Sequence, residues 1–292
     1  VLFLAGCVLF ARAALVSASE PASGSGVVDE VRVTGNADYV LERHIFFAAG
    51  AEDTGATADA VAGTSSTSAA GASAAFVINN HLWAASALPV AVYYNSADQP
   101  LGLATTSAII QAELQIWTSA GPSFAFAYGG STAASAGACE GAVGNIDGSN
   151  TIAFVTTLPA AVLGQTCTIA TTGGTKSSLV EFDMQVAIDV PWAAGQTNPK
   201  NSYDLPSTLL HELGHAAGLG HSSVRSAVMY ASLANGEQKR VLAADDIGAI
   251  NAAYPPPPGA GPTSTPIPTP TTAPTPVYDK NYVIKAPAVA RD

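Results

Sequence analysis

The sequence predicts an α+β fold, with strand segments and helices occupying different stretches of one domain. Two observations carry this reading. Between residues 88 and 188, short apolar or alternating runs follow one another, interrupted once by a long stretch of helical period. Beyond Asp204 a second helical stretch begins, and it carries three of the five histidines of the chain.

Taken in order, Leu88 to Tyr94 alternates as a strand does. Ala104 to Trp117 places Ile109, Ile110, Leu114 and Trp117 at helical spacing. Ser123 to Tyr128, Thr151 to Thr157, Gly164 to Ala170 and Leu179 to Ile188 then read as further strands. Between them, Asp147-Gly-Ser-Asn150 offers oxygens that suit a structural Ca2+. It is not a complete EF-hand loop, and a polar turn before a strand is the favoured reading.

The chemistry concentrates in His211-Glu-Leu-Gly-His215-Ala-Ala-Gly218-Leu-Gly-His221. Positions i and i+4 of a helix share a face, so His211 and His215 can aim both rings at one point. Neutral imidazole is a good zinc ligand, and a catalytic Zn2+ takes three protein ligands and leaves one position for water. Gly218 can adopt positive φ, end the helix and turn the chain so that His221 supplies the third nitrogen. Glu212, between the helical pair, is placed for a general base beside a metal-bound water.

Two histidines four apart can simply be exposed polar residues, so HExxH alone is moderately specific. The longer HExxHxxGxxH is the metzincin signature, and it requires a downstream Met-turn. Ser226-Ala-Val-Met229-Tyr230 supplies one. Alone, Met229 would read as an ordinary core methionine; after this histidine cluster it reads as an apolar, polarizable floor.

With these residues the chain resembles the matrixin branch of the metzincin (zincin-like) metalloproteases. Ser222 directly after the third histidine is typical of that branch, and Asp204-Leu-Pro-Ser leads into the metal helix as matrixins often do. Leu88 to Asn95 resembles the family's first strand, and Leu242 to Tyr254 its C-terminal helix. The likeness runs from about Phe76 to Tyr254, specific at the metal site and loose elsewhere. It lacks the second histidine set of animal matrixins and the Pro-Arg-Cys-Gly latency motif, which fits a simpler, bacterial-type member. Other branches place a tyrosine two residues after the methionine. Tyr230 follows it immediately, so no ligand role is carried over.

The resemblance implies a mixed twisted sheet with an active-site helix, a Met-turn and a C-terminal helix. It implies one catalytic zinc on His211, His215 and His221, with Glu212 as base and Asp245 and Asp246 as scaffolding under the Met-turn. Leu163 to Ala170 is the candidate antiparallel edge strand, to which an extended protein or peptide substrate would add as a further strand. The S1′ pocket would be bounded from Ser222 through the loop after Met229. Asp183 is read as a satisfied structural carboxylate, and His44 and His81 as solvated or core histidines. The expected function is a secreted zinc-dependent endopeptidase acting as a monomer. The rivals are a secreted surface-binding module with a structural zinc, against which Glu212 counts, and a metzincin of another branch.

Composition bounds the setting. The net charge is −11 with only 11 Lys+Arg, a surface that repels nucleic acid and anionic membranes. Residues 1–18 read as a secretory signal: an apolar run to Phe10, then A-x-A character at Ala11-Arg-Ala13 and Val16-Ser-Ala18. The run is too short to span a bilayer, so no stable membrane insertion of the mature chain is expected. Leu4-Ala-Gly-Cys7 also resembles a lipobox, but Val8-Leu-Phe10 continues the apolar run, and export without lipid is favoured. Export favours a disulfide between the remaining cysteines, Cys139 and Cys167. Residues 19–75 read as a low-complexity spacer or propeptide with one richer patch, Val27 to Phe47. Residues 76–254 form the expected catalytic domain, 255–277 a Pro/Thr-rich linker, and 278–292 a tail or the start of a further domain.

Overall fold

The computed structural model describes residues 33–34, 39–49, 75–140, 146–171 and 178–256. The expected leader, nearly all of the Pro/Thr-rich linker and the tail lie outside the described residues. No described helix is long and apolar enough to cross a membrane.

The framework is a mixed sheet of β1 (Val33–Thr34), β2 (Tyr39–Ala48), β3 (Leu82–Trp83), β4 (Val90–Asn95), β5 (Phe126–Thr132), β6 (Asn150–Val155), β7 (Val162–Thr171), β8 (Ser178–Ala187) and β11 (Ser232–Leu233). Its main order is β1-β2-β7-β8-β6-β4-β5, with β3 beside β8 and β11 beside β2. A small parallel pair joins β9 (Trp192–Ala193) to β10 (Tyr203–Asp204). The strands from β8 to β5 run parallel, whereas β7 runs antiparallel to β8. Parallel neighbours need a crossover, and helix α1 (Leu103–Ala120) provides the one between β4 and β5.

Helix α1 buries Thr106, Ile109, Ile110, Glu113, Leu114 and Trp117, a single stripe at i, i+3, i+4 spacing. It stops at Gly121-Pro122, where proline cannot continue the hydrogen-bond ladder. The sequence places β5 from Ser123; the strand instead starts at Phe126, because Phe124 turns into the core against Phe126 and Tyr254. Helix α2 (Leu205–Ala216) is buried along its whole length, and α3 (Ala244–Ala253) closes the described chain. Trp117 Nε1 donates to Leu210 O at 2.8 Å, tying α1 to α2.

One expectation changes here. Residues 39–48, largely in the richer patch of the stretch read as spacer or propeptide, form a ten-residue strand of the sheet. Val40, Leu41, Phe46 and Ala48 are buried, which gives that strand enough apolar surface to offset its ordering. As a result β7 is not an edge: β2 pairs with it from Tyr39↔Thr171 to Phe47↔Val162.

The Asp147 region is a turn, with Gly148 at φ +78° and the Asp147 carboxylate accepting from Ser149 N at 2.7 Å. Asp183 accepts from Ala138 N and Thr151 N at 2.8 and 3.0 Å, as a structural carboxylate does. Cys139 and Cys167 are bonded to each other and sit in a small apolar cluster with Leu41, Ala138 and Ile169. The bridge closes a loop of 28 residues. Replacing both cysteines by serine should lower the unfolding free energy by about 3 kcal/mol, mainly through a freer unfolded chain. Denaturant melts of the double variant against the oxidised protein measure this.

Candidate metal centre

The metal helix starts where the sequence says it should. Asp204 caps α2, its carboxylate accepting from Ser207 N at 2.9 Å, and Pro206 lies in the first turn, where its missing N–H costs nothing. The helix ends in a left-handed glycine cap. Gly218 has φ +88°, its N–H bonds His215 O at 2.8 Å, and Leu219 N bonds Gly214 O at 3.0 Å. A Cβ at Gly218 would lie 2.7 Å from Leu82 and 3.0 Å from His81 O, so both backbone angle and space demand glycine there.

That reversal brings the three histidines together. Their Nε2 atoms lie 3.0 Å apart for His211–His215, 3.1 Å for His215–His221 and 3.2 Å for His211–His221. His211 Nδ1 is 2.7 Å from Val228 O and His215 Nδ1 is 2.8 Å from Leu219 O. A carbonyl only accepts, so both Nδ1 atoms carry the proton and both Nε2 atoms present bare lone pairs. Burial holds both rings well below the usual histidine pKa, with neighbouring histidines adding to the effect, so they stay neutral.

Lone pairs converging in a buried space repel unless a cation sits among them. The spacing fits an ion about 2.0–2.1 Å from each nitrogen, as zinc is. Among the described residues this trio is the convergent group of three or more potential ligands.

Glu212 lies beside the trio and is fully buried. Its Oε2 accepts from Thr166 Oγ1 on β7 at 2.5 Å, while Oε1 is buried without a hydrogen-bond partner. Burial pushes the carboxyl up to about 8 against that hydrogen bond. A buried carboxylate oxygen left without a partner points to a polar ligand that would satisfy it.

Met229 packs on Gly214 of α2. A Cβ at Gly214 would overlap Met229 Sδ and lie 2.9 Å from Trp117, so the close approach of this thioether to α2 needs the glycine. The Met-turn is held by Asp246, which accepts from Val228 N at 2.9 Å, Met229 N at 3.0 Å and Ala243 N at 2.8 Å. Asp245 accepts from Ser222 Oγ at 2.6 Å. Both aspartates act as scaffold.

Four residues at the site escape a reading of the sequence. Thr166 carries no signal of its own. Gly164 does: an isolated glycine within a strand pattern marks close approach, and a Cβ there would sit 2.7 Å from Glu212 Oε1. His44 and Phe46 lie far upstream, yet their rings stack on His215 and His211, with centroids 4.6 and 3.8 Å away. His44 is therefore a core histidine at the site itself. His81 lies 3.3 Å from Glu42.

Asp246→Ala should destabilise the protein by about 3 kcal/mol, since buried N–H groups left unpaired cost about 1–3 kcal/mol each. Because Val228 O orients His211, the same variant should lose about 10–100-fold in zinc affinity. Urea titration and competition with a chromogenic chelator read the two effects.

The matrixin profile (peptidase family M10) matches residues 83–255, more than half of the chain. Similar proteins include metalloendoproteinase 5-MMP of Arabidopsis thaliana, 49% identical over 51 residues, which is 18% of this chain and 14% of that protein. Metalloendoproteinase 2-MMP of the same plant is 41% identical over 63 residues, 22% of this chain and 17% of the relative. Metalloendoproteinase 1 of Glycine max is 46% identical over 54 residues, 18% of each chain. The shared stretches therefore span less than a fifth of these relatives. The metal helix, glycine reversal and Met-turn all lie within the profile match, and the chain belongs to the matrixin family.

Proposed function

We propose that the protein is a secreted zinc-dependent endopeptidase that cleaves extended protein segments. The observation that carries this reading is the convergence of the His211, His215 and His221 Nε2 atoms, with Glu212, one residue from His211, keeping a buried carboxylate oxygen without a hydrogen-bond partner among the described residues. A structural zinc site has no use for such a carboxylate, whereas hydrolysis does. The relatives named above are all called metalloendoproteinases, which supports the same class. Export is supported by the Cys139–Cys167 bridge, a bond that persists in oxidising compartments.

His211, His215 and His221 would hold the zinc, which supplies a water of lowered pKa and polarises the scissile carbonyl. Glu212 would act as the proton carrier, its carboxylate accepting a proton from the attacking water and returning it to the departing amine. Thr166 fixes the carboxylate from one side, leaving Oε1 as the oxygen that receives the proton. With β2 displaced, the backbone of β7 would offer a ladder to an extended peptide, so main-chain hydrogen bonds would give affinity with little demand on sequence. The backbone at Ala231 to Leu233, on the far side of β2 from β7, would form the opposing wall.

Glu212→Ala should abolish hydrolysis of casein or a quenched peptide library, with a rate loss of at least about 100-fold. Zinc content, measured by atomic absorption, should stay at one ion per chain. Turnover retained in that variant, or zinc lost from it, would refute the assignment. A chelator should stop the wild-type reaction, and added zinc should restore it.

A further inference from the structure

The slot in which a peptide would align is already filled by the chain itself. We propose that Tyr39–Ala48 is a pseudo-substrate strand that keeps the enzyme latent by covering its catalytic groups, an inference that rests on the endopeptidase reading above. β2 lies antiparallel to β7 along nearly its whole length. On its other side it runs parallel to β11, with Phe47 N donating to Ala231 O at 3.2 Å and Ala49 N to Leu233 O at 2.8 Å. One strand thus satisfies both walls, the arrangement an incoming extended peptide would need.

Its side chains alternate, as a strand requires. Glu42, His44 and Phe46 face the metal helix and are buried. The Phe46 ring lies nearly parallel to His211, with an interplanar angle of 18°, and the His44 ring to His215, at 12°. The opposite face is held as well: Leu41 packs against the disulfide, and Arg43 Nη2 donates to Cys139 O at 2.7 Å.

With β2 in place His211, Glu212 and His215 are each 0% exposed, while His221 keeps partial exposure. β7, paired on both sides, has no free edge.

The cover works by occupation and not by ligation. His44 Nε2 is engaged by Asn79 Nδ2 at 3.2 Å, and His44 is not one of the convergent donors. Stacked rings shield the ligands, while the backbone ladder supplies the attachment. Displacing the strand would uncover the general base and free the β7 edge in a single event.

The test uses the full chain loaded with zinc. Wild type and the double variant His44→Gly/Phe46→Gly are compared for kcat/KM on a quenched peptide, with zinc content measured in parallel. A rise of at least about tenfold at equal zinc supports the proposal; an equal or lower rate in a folded, zinc-loaded variant overturns it. A second measurement needs only the wild type: hydrogen exchange of the 39–48 amides with and without a saturating peptidyl hydroxamate. Loss of protection on binding supports displacement of the strand, and protection that persists with the hydroxamate bound overturns it. If neither protein cleaves any peptide while both hold zinc, the hydrolase reading fails, and the exchange result alone decides the role of the strand.

Discussion

Everything at the centre depends on where two ring protons sit. His211 and His215 come from one helix, but the carbonyls that fix their tautomers, Val228 O and Leu219 O, come from the chain after it. The helix alone therefore cannot prepare the site. The path from Ala217 to Met229 must return against α2, and it does so through the left-handed turn at Gly218 and the bond from Ser222 N to Met229 O at 2.8 Å. Ligand basicity and ring orientation are properties of that return path.

The surroundings of α2 serve the same end. Asp204 caps the helix and is also bonded by Arg240 and by Asn198 Nδ2, so the loop after the Met-turn is fastened to the start of the metal helix. Asp204 is fully buried, and a buried ion pair of this kind adds little net stability. Its effect is positional, because removing one partner would strand a charge in the interior. Trp117 from α1 bonds Leu210 O and packs with Met229 at Gly214, which leaves the helix little room to rotate.

Much of this was legible in the residues. The histidine spacing, Gly218, Asp204 before Leu-Pro-Ser and Met229 each encode a local geometry, and local geometry is what sequence pattern reports. Asp246 was placed by resemblance and lies where that placed it. The tenancy of β7 was not legible. Tyr39–Ala48 reads as a modest apolar patch in a stretch rich in small residues, and nothing local says which strand it will join. Strand pairing across more than a hundred residues is a tertiary choice, set by the shared burial of Phe46 and Leu163. Thr166 was hidden for the same reason: its role exists only because α2 delivers Glu212 to that point on the strand.

The final turn of α2 has a feature that bears on the extent of the folding unit. Its free carbonyls at Ala216 and Ala217 are met by the indole of Trp83 and the hydroxyl of Tyr254, each at 2.8 Å, and that hydroxyl also accepts from Trp83 N at 3.2 Å. Two residues 171 positions apart are thus sutured to each other and to the same helix terminus. A fragment trimmed inside either stitch would strip these helix carbonyls of the bonds that Trp83 and Tyr254 give them. The smallest autonomous catalytic module must therefore reach from that indole to that phenol.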